Sequence, residues 1–311
     1  MQSLQQLKSR LKAVKNINQI TKAMEVVAAT KMRKAEETAI RSRAYGFVAL
    51  DMLQTVLKHN PTPSPYLTER PVKNTLLVIV AADKGLAGAF NSQVVRAVDN
   101  FLATDEFKNI PDHQYQVIAL GKKAAQYATK NNLAITASFA GLGDFINLDQ
   151  IAPVVKTITD QFDQNLTDRV IIISTHFRTA LKQDALIRNL LPLSIANLNQ
   201  TLTEIVPEHG RFSHLLTRQK TDKHNRADYL FEPTTEIITE KLIPKLLIMQ
   251  LYQLILEANA SEHAARRVAM KNASDNALEL RDDLTLEYNK SRQASITKEI
   301  IEITSTQSAL N

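Results

Sequence analysis

The stretch Lys245–Asn311, KLLIMQLYQLILEANASEHAARRVAMKNASDNALELRDDLTLEYNKSRQASITKEIIEITSTQSALN, contains neither Pro nor Gly. A breaker-free run of about 65 residues predicts a helix roughly 100 Å long. Pro244, just ahead of it, is expected to kink its beginning. Upstream, Phe231-Glu232-Pro233-Thr234-Thr235-Glu236 places Pro and Glu where a helix's first turn takes them. Ala258, Ala265, Ala269, Ala273 and Ala277 form a stripe of small residues that would let another helix approach closely.

The opposite end of the chain reads the same way. Between Ser3 and Leu57 there is no Pro, and Gly46 is the sole Gly. Apolar residues fall at Leu4, Leu7, Leu11, Val14, Ile17, Ile20, Met24 and Val27, spacings of three and four that predict a helix with coiled-coil character. Its length would be roughly 80 Å. Asn60-Pro61-Thr62-Pro63-Ser64-Pro65 then stops it, because proline lacks the amide a helix needs.

Between the two helices the pattern changes. Asn74–Ala82 (NTLLVIVAA) is a short continuous apolar run, as expected of a strand buried on both faces. Further strands are expected at Tyr115–Leu120, Leu133–Ala140, Arg169–Thr175 and Leu186–Leu193, with helices at Gly88–Leu102, Lys122–Lys130 and Leu148–Asn165. Strand and helix alternate, which predicts an α/β domain with a largely parallel sheet. The expected organisation is an N-terminal coiled-coil helix over 1–59, a central α/β domain over 72–200, a connecting loop region over 201–231 and a C-terminal coiled-coil helix over 232–311. Neither long helix can bury its stripe on a sheet of ordinary size, so the two are expected to pack antiparallel on each other.

Composition narrows the chemistry. The 311 residues include no Cys, which excludes disulfides, thiolate zinc sites and a cysteine nucleophile. The net charge is +6, and between Met1 and Arg43 ten Lys or Arg against three Glu leave +7, so the basicity belongs to the first helix. The N-terminus lacks the apolar core of a secretory signal. Leu242–Ala258, the longest apolar stretch, is broken by Pro244, Lys245, Gln250, Gln253 and Glu257, too polar and too short for a membrane span. A soluble chain is expected, with any membrane link running through a partner.

Stretches in four regions of the chain carry a family resemblance. Leu11-Lys12-Ala13-Val14-Lys15-Asn16 and Ile20-Thr21-Lys22-Ala23-Met24-Glu25-Val26-Val27-Ala28-Ala29-Thr30-Lys31-Met32 open the chain. Asp83-Lys84-Gly85-Leu86-Ala87-Gly88-Ala89-Phe90-Asn91 follows the first strand, and Tyr229-Leu230-Phe231-Glu232-Pro233 leads into the last helix. Ala260-Ser261-Glu262-His263-Ala264-Ala265-Arg266 and Tyr288-Asn289-Lys290-Ser291-Arg292-Gln293-Ala294-Ser295-Ile296-Thr297-Lys298-Glu299 lie on that helix. In this order, over nearly the whole chain, they resemble the gamma subunits of F-type ATP synthases. Ala87 stands where many members carry Cys, Arg267 where an apolar residue is common, and the 202–228 stretch is somewhat long. The chloroplast-type cysteine insert is missing, so thiol control is excluded.

The resemblance implies a central-stalk rotor subunit with no catalytic, cofactor or metal site of its own. Its partners would be the alpha and beta subunits of the catalytic ring, the epsilon subunit and the membrane c-ring, on the cytoplasmic face of a bacterial membrane. It implies that Lys22 and Met24 touch acidic loops of the surrounding subunits, that Arg292 and Gln293 meet a loop of a beta subunit, and that Tyr229 and Glu232 are foot contacts with the membrane ring. Each has a plainer reading as surface polarity or a solvated basic face.

Other readings of the same residues are weaker. Gly85-x-x-Gly88 sits where a phosphate loop would, but lacks both the dinucleotide and the P-loop spacing, so a tight turn is expected there. His209, His214 and His224 share one polar stretch without carboxylates or Cys spaced to join them in a metal site. Ser261, Glu262 and His263 are consecutive in a helix and point in different directions, which rules out a triad. A nucleotide-dependent enzyme would need a phosphate loop and poised acid–base groups. A nucleic-acid-binding scaffold would use the basic helix, but no recognition motif or aromatic interleaving accompanies it.

Overall fold

The computed structural model describes residues 3–59, 64–110, 113–143, 146–194, 232 and 234–309. Two compact units are present, one of Met1–Ala28 with Arg267–Asn311 and one of Ala29–Arg266. The long helices α1 (Leu4–His59) and, last in the chain, α5 (Thr235–Ala309) contribute to both. Helix α5 runs unbroken through Pro244.

The larger unit is built on a sheet of β1 (Asn74–Val80), β2 (Gln114–Leu120), β3 (Ala134–Phe139), β4 (Arg169–Phe177) and β5 (Gln183–Leu191), in spatial order β3-β2-β1-β4-β5. The first four strands are parallel and β5 runs antiparallel to β4. Helices α2 (Phe90–Thr104), α3 (Lys122–Lys130) and α4 (Leu148–Asp163) connect them. The expected strand and helix positions are met within a few residues; β4 continues to Phe177 and β5 starts earlier, at Gln183, because those two strands form a hairpin.

Side chains alternate across a strand, so adjacent apolar residues feed opposite layers. Leu77, Ile79, Val117, Ile171 and Ile173 pack with Val94, Val98 and Phe101 of α2 and with Ala124 and Ala128 of α3. Leu76, Val78, Ile118, Val170 and Ile172 face α4, where Ile151, Val154, Val155, Ile158 and Phe162 recur at helical spacing. The same layer holds Leu50 and Leu53 of α1 and Leu247, Leu251 and Leu254 of α5. Every residue of α5 from Leu251 to Ala264 is buried, polar ones included, so this helix segment turns no face to solvent.

Arg70 closes the C-terminal end of α4. Its guanidinium lies 3.9 Å from the centroid of the Phe162 ring and donates to the carbonyls of Phe162 at 2.9 Å and Thr167 at 2.5 Å. The Phe162 carbonyl is one of the acceptors a helix end leaves without an intrahelical partner, and Thr167 lies in the turn that follows.

In the smaller unit, Leu7 and Val14 of α1 share a buried cluster with Ala277 and Leu284 of α5. Asn18 Nδ2 donates to Ser274 O at 2.8 Å and to Ser274 Oγ at 3.0 Å. The contacts descend α5 as they climb α1, so the pair is antiparallel, as expected. The inward positions are not those the apolar residues suggest, however. Leu7, Leu11, Val14, Asn18, Thr21, Glu25 and Ala28 are buried or half-buried, whereas Ile17, Ile20 and Val27 are exposed. The spacing of four and three is a strict heptad, matched on α5 by Met270, Ser274, Ala277, Arg281, Leu284 and Tyr288. Of the apolar stripe read from the sequence, Leu7, Leu11 and Val14 therefore face the seam, and Ile17, Ile20 and Val27 face away from it.

Candidate partner-contact surface and the closed sheet crevice

In an open α/β sheet, ligands bind at the carboxyl ends of the strands where the strand order reverses. Here that point lies between β1 and β4, and beside it the chain's own groups tie together the loops that leave β1, β2 and β3. The Asp83 carboxylate accepts from the amides of Lys122 at 3.0 Å and Gly141 at 2.8 Å, using the donors that a bound anion would need. Asn91 Oδ1 accepts from the Ala82 amide at 3.0 Å. In this loop the left-handed backbone falls at Leu86 (φ 62°) and Gly88 (φ 53°), so it is a tight turn, as expected.

Helix α5 covers the remaining opening. Asn259 Nδ2 donates to the carbonyls of Leu142, at 3.0 Å, and Gly143 in the loop after β3. Arg266 donates to the Gly85 carbonyl at 3.2 Å and pairs with Glu262 at 2.6 Å. Glu262 is thus committed to Arg266, and Ser261 is fully buried, so the consecutive Ser261, Glu262 and His263 do not converge. Among the described residues no group of three or more His, Cys, Asp or Glu stands ready for a metal. His209, His214 and His224 lie outside the described residues.

With the heptad seam turned inward, Ile17 (51 % exposed), Ile20, Val26 and Val27 of α1 and Leu286 (71 % exposed) of α5 face outward. Singly exposed apolar residues are ordinary; several on one slender helix pair mark a surface that another protein covers. Lys22 is exposed and its ammonium donates to Glu25 Oε2 at 2.9 Å. That hydrogen bond holds Glu25 below the usual carboxylate range, assisted by Arg267 and Lys271 of α5, and raises Lys22. Met24, next to this cluster, is half-buried.

Arg292 and Gln293 are exposed on α5 past the last shared cluster, which ends at Leu284 and Tyr288 against Leu7. In the antiparallel register they lie roughly 35 Å along the axis from Met24. The two pairs of expected contact residues therefore form two separate zones. Beyond Tyr288 the helix continues to Ala309 with Ile296, Ile300, Ile301 and Ile303 exposed. Glu232 is exposed, and Tyr229 lies outside the described residues. Sequence reasoning missed the inward polar residues Asn18, Thr21 and Glu25; counting heptads from Leu7 would have found them.

The family model described as ATP synthase matches residues 3–310. The chain belongs to the ATP synthase gamma-chain family. It is 36% identical over 313 residues to the ATP synthase gamma chain of Roseiflexus castenholzii, covering 100% of this chain and 99% of that one. To the gamma chain of Cupriavidus pinatubonensis it is 34% identical, with both chains covered completely, at 100%. Among solved structures it is similar to a chain of the Euglena gracilis mitochondrial ATP synthase (OSCP/F1/c-ring), with a TM-score of 0.62 and 20% identity over 99% of this chain and 94% of that one. A chain of the Tetrahymena thermophila mitochondrial ATP synthase central stalk and c-ring gives a TM-score of 0.56 and 24% identity over 82% and 99%.

Gamma chains are central-stalk subunits of the F1 sector, peripheral parts of a membrane-bound H⁺-transporting ATP synthase and distinct from its catalytic subunits. No helix among the described residues is long and apolar enough to cross a membrane.

Proposed function

We propose that this chain turns as the central shaft of its synthase, coupling ion flow through a membrane c-ring to ATP synthesis or hydrolysis in a surrounding ring of alpha and beta subunits. The observation that carries the reading is the antiparallel α1–α5 pair, whose seam joins apolar residues to the polar Asn18–Ser274 contact while Ile17, Ile20, Val27 and Leu286 face out. Such a surface slides against a sleeve without strong bonds to break.

An asymmetric shaft touches each of three equivalent catalytic subunits differently. Those differential contacts bias each subunit toward a different nucleotide affinity, and rotation passes the bias around the ring. In this scheme Lys22 and Met24 form a collar against acidic loops. Arg292 pairs with a carboxylate on a beta-subunit loop, where its planar fork suits two parallel hydrogen bonds, and Gln293 supports it. The helices over 1–59 and 232–311 make the shaft, and the α/β domain over 72–200 receives the epsilon subunit. Tyr229 and Glu232, flanking the end of the 201–231 connection, meet the c-ring. The assembly sits on the cytoplasmic face of a bacterial inner membrane.

The test is affinity capture of the tagged chain followed by intact-complex mass measurement. One copy of the chain with several ATP-hydrolysing subunits supports the reading. Capture of the chain alone, or retention on DNA that falls steeply with salt, contradicts it.

A further inference from the structure

The enclosed segment of α5 is not uniformly apolar. Gln250, Gln253, Glu257 and Ser261 recur at spacings of three and four, within about 80° of one another around the helix. All are buried, Gln253 and Ser261 completely. Glu257 meets β4: His176 Nδ1 and Glu257 Oε2 are 2.9 Å apart, a contact in which the imidazole N–H donates to the carboxylate. Ser174, two residues earlier on β4 and therefore on the same face of the sheet, is also fully buried.

Other polar atoms of this seam have no partner among the described residues: Gln250 Oε1, both amide atoms of Gln253, Glu257 Oε1, Ser261 Oγ and Ser174 Oγ. An unpaired buried polar group lowers the folding equilibrium constant by about tenfold to a hundredfold. Over five residues the product, about 10⁵ to 10¹⁰, would match or exceed the about 10³ to 10⁸ typical of a folded domain. The groups are therefore satisfied by something that is not protein. Two of the five are serines, whose hydroxyls can donate or accept, and the set mixes donors with acceptors, which suits water and not an ion of either sign.

We infer that the β4–α5 contact is an internal hydration site, in which ordered water bridges Glu257 and Gln253 of α5 to Ser174 of β4. Water bonds exchange partners readily, so this contact holds α5 in register while letting it twist slightly against the sheet without losing a bond.

A high-resolution structure of the full-length chain, in whatever complex it purifies with, tests this directly. The expected result is ordered water within hydrogen-bond reach of Glu257 Oε1 and the Gln253 amide, displaced in Gln253→Leu. Ser261→Ala, which removes one atom and should fold in any case, is expected to lose or shift one bridging water. Side chains found paired only with protein groups, an ion at the same place, or a dry seam with these atoms still unpaired would each overturn the inference.

Discussion

Asn18 Nδ2 stands 2.8 Å from the carbonyl oxygen of Ser274, a residue 256 positions further along the chain. With the second bond to Ser274 Oγ, this amide fixes which turn of α5 faces which turn of α1. A polar residue at a seam position specifies register at some cost in stability, because any slip leaves it unpaired.

Asn18→Ala is expected to remove both bonds and destabilise the helix pair by about 1–2 kcal/mol. Hydrogen exchange should quicken across residues 4–28 and 267–288 and stay unchanged in the sheet. Equal protection in variant and parent would show that the seam does not depend on this amide.

Gly121 sits where β2 turns into α3, with φ 96°. A Cβ there would lie 1.9 Å from the Ala81 carbonyl oxygen, inside the backbone of the neighbouring strand end. Gly121→Ala is expected to cost roughly 3 kcal/mol or more. At Gly141 (φ 82°) a Cβ meets nothing within 4 Å, so Gly141→Ala should lose only about 1 kcal/mol of backbone strain. Thermal unfolding of the two variants separates the effects; equal losses would contradict the close approach at Gly121.

How much of this was legible in the sequence depended on where burial was complete. Asn74–Val80 read as a strand because it is covered on both faces and needs only apolar residues. The first helix was legible as a helix, but its inward face was not. Asn18, Thr21 and Glu25 face inward on hydrogen bonds and charge, while Ile17, Ile20 and Val27 face out, so hydropathy marked the inward side only as far as Val14. Asp83 with Gly141, and His176 with Glu257, are meetings across loops and layers that no local spacing announces. The crevice reads as closed only once Asn259 and Arg266 are seen to lie over it.

Tyrosine ionisation supplies a pH test. Tyr115 donates to Asp105 at 2.7 Å and Tyr66 to Asp163 at 2.6 Å; Tyr127 donates to Asp99. Burial first, and then the carboxylate beside each phenol, raises all three above the ordinary value of 10.0. The folded chain thus keeps protons that the unfolded chain releases. Stability is whole below pH 10.0 and falls as the pH rises through and beyond it. Phenolate absorbance should lag in the folded chain and then rise together with unfolding. Full ionisation near the ordinary value with the fold intact would contradict these contacts.

Met24→Lys tests the proposed collar. The half-buried thioether lies beside a cluster that already holds Lys22, Arg267 and Lys271, so a further cation adds repulsion and places charge at the sleeve. ATP hydrolysis by the assembled complex is expected to stay within about twofold, while protons pumped per ATP fall by about half or more, a loss of under 1 kcal/mol in coupling. Unchanged pumping would remove Met24 from the contact.

Rotation itself can be watched, because the chain has no Cys and Leu181 is 83 % exposed on the β4–β5 hairpin. Leu181→Cys offers a single thiol for a bead, with the surrounding catalytic subunits fixed to glass. On adding ATP, the bead is expected to turn stepwise in one direction, three steps to the revolution. A bead that stays still, or jitters both ways while the same complexes hydrolyse ATP, would contradict the account.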